Sequence, residues 1–326
     1  MRVLVTGGAG YIGGHAILAL LDQGFNPIVL DDLSTGSSKF LPAGVKLVIG
    51  DVGDQKLLTD IILENGIETI LHFAGKLIVA DSVRDPLTYY FDNTVKTHSL
   101  LQAAIDNGVQ NFVFSSTAAV YGRSEVGLVD EEEPLLPMSP YGRSKLMSEE
   151  IIRDVSAAYR INYAILRYFN VAGADPQLRY GQTLRDPTNL IGVALAACAK
   201  QDKHIEIFGD DYPTHDGTCI RDFIHVADLA DAHLVALRHL HENGGSVLLN
   251  CGYGRGYSVK EVLETVESVT GTTLKKKIAK RRVGDPVALI SESKKLRALD
   301  WRPRFDHLRT IIEHAYRWEQ QMSSAK

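Results

Sequence analysis

Between a short apolar run and the first helical pattern the chain reads "VTGGAGYIG", residues 5–13, placing Gly7, Gly10 and Gly13 in a G-x-x-G-x-x-G spacing. A strand must end there, turn within a few residues and enter a helix whose N-terminus faces an anion; only glycine lets main chain come that near. This is the opening unit of a dinucleotide-binding α/β fold. Asp31 closes the next apolar run about 20 residues on, where a carboxylate accepts the two hydroxyls of an adenosine ribose. A negative charge there repels a 2′-phosphate, so NAD is expected rather than NADP. Asp32 is the alternative acceptor, or else it closes an Asx turn with Ser34. Asp51, ending the third run, either meets the adenine amino group or caps the following helix.

The rest of the chain continues this pattern. "NPIVLDD", "VKLVIGD", "ETILHFA", "NFVFSST" and "NYAILRYFN" are near-continuous apolar runs, as parallel strands buried on both faces require. Helical spacing fills 12–23, 54–64, 94–107 and 140–159, with Gly24 and Gly108 at expected left-handed C-caps and Ser139-Pro140 as N-cap and first helical residue. The expected fold is a Rossmann-type, doubly wound parallel α/β sheet with a smaller α/β substrate-binding lobe. Residues 1–170 form the NAD-binding domain, with 220–243 returning to it, and 171–326 form the lobe. Within the lobe, 172–189 reads as a loop, and Ser258 to Glu261 has the form of a capping box.

With 326 residues, 45% of them apolar, there is enough chain for a sizeable core. The net charge of −5 offers no surface for nucleic acid or an anionic membrane, so an anionic ligand must be held by a few local cations. No apolar stretch approaches about 18 residues and no signal-like segment follows Met1, so the expected location is the cytoplasm. Cys198, Cys219 and Cys251 fall in no metal-binding spacing and read as buried thiols; no metal is expected. The runs Glu131 to Glu133 and Lys275 to Lys277 read as solvated surface.

"SPYGRSK" sets Tyr141 and Lys145 four residues apart, on one face of a helix. A phenol with an ordinary pKa near 10 is a poor base at neutral pH, but an adjacent ammonium and a nicotinamide cation both favour its ionised form. At the end of a strand in "FSSTAAVYG", Thr117, or failing it Ser116, is placed to bond a substrate hydroxyl and share its proton with Tyr141. A dinucleotide turn, a hydroxyl-bearing strand end and this pair together read as a hydride-transfer site.

The set "VTGGAGYIGG", "LDDLSTG", "HFAG", "FSSTAAVYG", "SPYGRSK", "RYFNVAGADP", "DYPTHDGTCIRDFIHVADLADAH" and "RRVGDP" resembles the UDP-glucose 4-epimerase family of extended short-chain dehydrogenase/reductases over nearly the whole chain. The resemblance implies NAD that stays bound through turnover. Its contacts would be Tyr11, Ile12, Asp31, Asp32, Leu33, Ser34, Thr35, Gly36, Asp51, Val52, Phe73, Ala74, Gly75, Lys76, Leu77, Asn93, Tyr141, Lys145 and Phe169. It implies that Tyr141 takes the proton of the sugar 4-hydroxyl, that a 4-keto sugar forms and swings about its diphosphate, and that hydride returns to the other face. UDP would be held by Asn170, Asn189, Leu190, Arg221, Arg282 and Asp285, and along the uracil by Glu206, Ile207 and Phe208. Two guanidinium forks suit a diphosphate; their ordinary alternatives are a pair between Arg221 and Asp222 and a solvated basic run at Arg282. His225 and Asp228 read as structural. Members of the family pair two helices per subunit in a homodimer, here 94–107 and 140–159.

Three positions depart from the family pattern. Thr117 stands where serine is common, Lys76 follows "HFAG" at once, and Leu289 falls at the gate of the hexose pocket, intermediate between an excluding tyrosine and a small residue that admits N-acetyl groups. Related 4,6-dehydratases carry Asp and Glu directly after the site threonine to eliminate water; here those places are Ala118 and Ala119. A non-catalytic NAD-binding sensor would lack the tyrosine or lysine. The expected substrates are therefore UDP-glucose and UDP-galactose, with UDP-N-acetylglucosamine or a UDP-pentose as alternatives.

Overall fold

In a computed structural model of the chain, which describes residues 2–122, 127–183, 187–199, 204–282 and 284–324, a central sheet carries the first half of the sequence. Its strands are β1 (Val3–Thr6), β2 (Ile28–Asp31), β3 (Lys46–Ile49), β4 (Thr69–His72), β5 (Asn111–Thr117), β7 (Asn162–Tyr168) and β11 (Val247–Cys251). They lie in the order β3-β2-β1-β4-β5-β7-β11, all parallel. Between β1 and β4 the winding reverses, which opens a crevice at the carboxyl ends of the strands.

Apolar layers on both faces explain the unbroken runs. On one face Val3, Val5, Val113 and Leu166 pack with α1 (Tyr11–Asp22) and α8 (Val226–Asn243); on the other Leu4, Ile70, Phe112 and Ile165 pack with α2 (Gln55–Asn65), α5 (Lys96–Asp106) and α6 (Pro140–Ala158). Successive residues of a strand point to opposite faces, and here both faces are dry. Ser139 caps α6 through the amide of Gly142, and Ser258 and Glu261 form the expected capping box of α9 (Val259–Thr270). Gly24 and Gly108 are left-handed, at φ +79° and +73°.

The run expected as one strand over 162–170 divides. The chain leaves the large sheet after Tyr168 and, past Phe169, begins β8 (Asn170–Ala172) in a second sheet. There β10 (Ile220–His225) pairs with β8, with β12 (Gly256–Ser258) and with β14 (Ala288–Ser291), which in turn meets β6 (Leu128–Val129). A separate parallel pair, β9 (His204–Phe208) and β13 (Lys275–Ala279), stands beside helix α7 (Leu190–Ala199). The segment 220–243 is thus shared: α8 covers the large sheet, β10 belongs to the small one, and β11 is the strand that rejoins the first domain. Short apolar strands carry no mark of which sheet they join. The loop expected over 172–189 contains 184–186, which lie outside the described residues.

Two further expectations change. Over 94–107 the helix begins with a π-helical turn, Phe91–Val95, before α5, and this turn carries Asn93. Glu131 does not belong to a solvated run: it is buried and accepts the amide of Asn250 at 2.7 Å. The cysteines are free, Cys219 and Cys251 buried and Cys198 partly so, and no described helix is long and apolar enough to cross a membrane.

Buried neutral histidines give the fold a pH dependence. His233 Nδ1 donates to the Leu229 carbonyl at 2.8 Å, so Nε2 is a lone-pair acceptor, buried and without a hydrogen-bond partner. Burial lowers its pKa from 6.5 to about 4. Its contribution to stability is full above pH 6.5 and is lost as pH falls from there to about 4, because the unfolded chain takes the proton first. His233→Phe is expected to reduce the slope of stability against pH near pH 5 by roughly one proton, about 1.4 kcal/mol per pH unit, in urea titrations at several pH values. An unchanged slope contradicts this.

Candidate active site

The dinucleotide turn is built by contact. A Cβ on Gly13 would stand 2.2 Å from the carbonyl oxygen of Gly7, and one on Gly7, at φ +70°, would stand 2.6 Å from the amide of Ala74. These absences let α1 enter directly over the end of β1. Gly10 is its N-cap, with no side-chain cap and no acidic residue in the first turn, which leaves the first-turn amides suited to an anion. Tyr11 itself is anchored through its hydroxyl to the Gly173 carbonyl at 2.7 Å.

Asp31, at the end of β2, accepts the amide of Ala9 on Oδ2 and that of Leu33 on Oδ1, each at 2.9 Å. Each oxygen keeps a lone pair for a ribose hydroxyl. Burial raises its pKa and the two amides oppose the rise. Asp32 takes the Asx turn with Ser34, through amide and hydroxyl. Thr35 is exposed, and Gly36 packs so closely that a Cβ would meet the Ala9 backbone at 2.9 Å. Asp51 does not cap α2; Asp54 does, through the amide of Leu57. Asp51 instead accepts from Gly53 and pairs with Lys96 at 2.6 Å, with Val52 behind it in the core. Beyond β4, Phe73 packs on His233 and Ala74 on the core, while Leu77 is exposed. Asn93 clasps Lys76, accepting its amide at 2.7 Å and donating to its carbonyl at 3.0 Å, so the main chain of this loop is fixed. The Lys76 ammonium points to Asp92, 3.7 Å away.

On α6, burial raises the Tyr141 pKa, and the nearby Thr117 hydroxyl opposes the rise. Lys145 lies over the Phe114 ring, 4.4 Å from its centre, and burial pulls its pKa down to about 8. Burial opposes the phenolate that an adjacent ammonium and a nicotinamide cation are expected to favour. The expectation for Ser116 is corrected. It is buried and donates to Glu149 at 2.5 Å, because neighbours on a strand face opposite ways, so Ser116 and Thr117 cannot both face a sugar. Ser115 shares the Thr117 side and bonds the Tyr168 hydroxyl. Ala118 and Ala119 place no acid after Thr117.

A second cluster lies at the small sheet. Arg282 stacks on Phe208, 3.8 Å from the ring centre. Arg221 donates to the carbonyls of Ile220 and Pro286 and approaches Asp285 at 3.6 Å; it does not pair with Asp222, whose carboxylate accepts the amides of Tyr253, Gly254 and Ser291. The thiol of Cys219 feels Arg221, Asp285 and Arg282 together. The two clusters join through Leu289, which sits beside Arg221 in register and packs with Ala118 and Phe169. Asn170 and Glu206 are exposed, whereas Ile207 and Leu190 turn their side chains to the apolar lobe core and Asn189 accepts the amide of Gly192 at 2.8 Å. His225 and Asp228 are structural: the first caps α8 and bonds His314, and the second gathers Tyr253, Arg304 and Phe305.

Residues 3–252 match the model of the NAD dependent epimerase/dehydratase family. The chain belongs to this family. Among its relatives, the UDP-glucose 4-epimerase of Azospirillum brasilense is 49% identical over 99% of this chain and 93% of its own length. A crystal structure of UDP-glucose-4-epimerase from Stenotrophomonas maltophila, with bound NAD and formylated UDP-arabinopyranose, superposes with a TM-score of 0.96 at 36% identity, covering all of both chains. The UDP-Glc/GlcNAc 4-epimerase of Campylobacter jejuni is 45% identical with a TM-score of 0.85, over 98% of this chain and 99% of that one. Sequence reading missed Glu149 and Arg167, a fully buried ion pair at 2.6 Å behind the family's Tyr and Lys. Arg167 inside the apolar run "AILRYF" was the available signal, since a buried guanidinium demands a partner.

Proposed function

We propose that the chain inverts C4 of a UDP-hexose, interconverting UDP-glucose and UDP-galactose with tightly held NAD. The observation that carries this is the placement of the Tyr141 phenol beside the Thr117 hydroxyl, with Lys145 one turn on and two alanines where a dehydratase needs acids. The residues fit the cofactor: the glycine cradle and open amides suit a pyrophosphate, Asp31 a ribose, and Asn93 fixes the loop near Lys145. NAD, when bound, would supply the hydride acceptor for C4 and a positive charge that favours ionised Tyr141. Thr117 orients the 4-hydroxyl, and Tyr141 accepts its proton and later gives it back. Lys145 binds the nicotinamide ribose and keeps positive charge beside the phenol. Arg221 and Arg282 grip the diphosphate while the hexose, bounded by Leu289, Ala118 and Phe169, stays free to turn.

Residues 1–170 with α8 and β11 carry the cofactor, and the small sheet carries the nucleotide sugar. The protein works in the cytoplasm as a homodimer. Supporting the dimer, Val83, Leu87, Phe91 and Val95, around the start of α5, and Met147 on α6 are exposed apolar side chains on adjoining elements. A leucine at 289 favours N-acetylated hexoses as further substrates, because it leaves room that a tyrosine ring would fill.

Purified protein, given UDP-galactose and no added cofactor, is expected to form UDP-glucose; absence of C4 inversion across a panel of UDP-sugars refutes the proposal. Tyr141→Phe is expected to lower kcat by roughly 10²–10⁴-fold with NAD retained, and near wild-type turnover would remove Tyr141 from its role. UDP-N-acetylglucosamine should be converted by the native chain and not by Leu289→Tyr; equal rates in both dismiss the gate. Sedimentation should give twice the chain mass, and a monomer contradicts the dimer.

A further inference from the structure

Tyr141, Lys145 and Glu149 lie at four-residue steps on α6, so the face that presents the phenol and the ammonium presents a carboxylate one turn later. Glu149 is bonded on both oxygens: Ser116 Oγ donates to Oε1 at 2.5 Å, Arg167 Nε to Oε1 at 3.0 Å and Nη2 to Oε2 at 2.6 Å, and Arg153 to Oε2 at 3.0 Å. Arg167, equally buried, also donates to the Tyr121 hydroxyl at 3.1 Å, whose proton goes to Asn250 Oδ1 at 2.6 Å. Two charges wholly out of water are costly, and an apolar pair of the same volume would serve stability as well. What such a pair would not supply is direction and charge.

Ser116 is followed directly by Thr117, whose hydroxyl stands beside the Tyr141 phenol. One carboxylate is therefore fixed to the strand end that orients the substrate hydroxyl and to the helix that carries proton acceptor and lysine. The titratable and charged groups around Lys145 are His72 on β4, Tyr141 and Glu149 on its own helix, Arg167 on β7 behind Glu149, and Tyr168 near Tyr141. Of these, Glu149 is the anion.

We infer that Glu149 is a positioning residue for the reaction, holding the Thr117 strand end and the Tyr141–Lys145 helix in fixed relation and supplying the negative charge that faces the Lys145 ammonium. The inference rests on the roles proposed above for Tyr141 and Lys145. Burial depresses the Lys145 pKa to about 8 and Glu149 opposes that fall. Without the carboxylate charge the ammonium loses its proton at lower pH, so the alkaline limb of the rate profile moves down.

Glu149→Gln keeps the size of the side chain and an acceptor for Arg167, and removes the charge. It is expected to lower kcat by about 10–100-fold with KM within about threefold, and to shift the alkaline limb of kcat downward by about one pH unit. The same shift is expected in the Lys145 titration, followed by NMR of isotope-labelled lysine Cε in protein without substrate. An unmoved titration and an unmoved limb overturn the inference, whatever the loss of rate. Should Glu149→Gln fail to fold because Arg167 is left buried and unpaired, the double variant Glu149→Gln/Arg167→Gln is compared with Arg167→Gln, so that only the carboxylate charge differs: a lower Lys145 titration in the double variant supports the inference and an equal one overturns it. A shifted Lys145 titration in a protein that inverts no UDP-sugar supports the charge pairing and refutes the functional reading alone.

Discussion

A parallel sheet covered on both faces leaves chemistry only one place to occur. Its backbone is satisfied strand to strand and its side chains are committed to two dry layers, so polar groups collect where the strands stop. In this protein the carboxyl ends of β1, β2, β3, β4, β5 and β7 deliver, in turn, the glycine turn, Asp31, Asp51, the Asn93-clasped loop, Thr117 and Phe169. The order β3-β2-β1-β4-β5-β7 sets these groups side by side along the crevice.

Charge is handled locally on an acidic chain. Arg221 and Arg282 are each steadied by neighbours that do not neutralise them fully: carbonyls and a loosely placed Asp285 for the first, an aromatic face for the second. Guanidinium groups held in this way remain competent for a diphosphate. By contrast the charges behind Tyr141 are saturated, and the difference separates cations with little pairing from those that fix the frame.

What could be read from sequence was what local rules control. The glycine spacing, the caps at Ser139 and Ser258, Asp31 and the Tyr141–Lys145 step each depend on residues within a few positions of one another, and the fold keeps all of them. Illegible parts depend on long-range pairing. Nothing in "IRDFIH" or "VLLNC" says which sheet each joins, and Glu131 looks solvated until β11 arrives to donate to it. The mistake over Ser116 had a local remedy: alternation along β5 allows one of two adjacent hydroxyls to face the site, and the bulk of Arg167 on the next strand claims the other side.

Phe169 is the single residue between β7 of the large sheet and β8 of the small one. One residue spans no more than about 3.6 Å, so the carboxyl edge of the large sheet and the start of the small one are tethered with almost no slack. Displacement of one surface along the other is suppressed, and the freedom left to a molecule anchored by its diphosphate is rotation. A pocket that permits spin while denying drift is the mechanical condition for presenting first one face of a ring, then the other, to the same fixed hydride carrier.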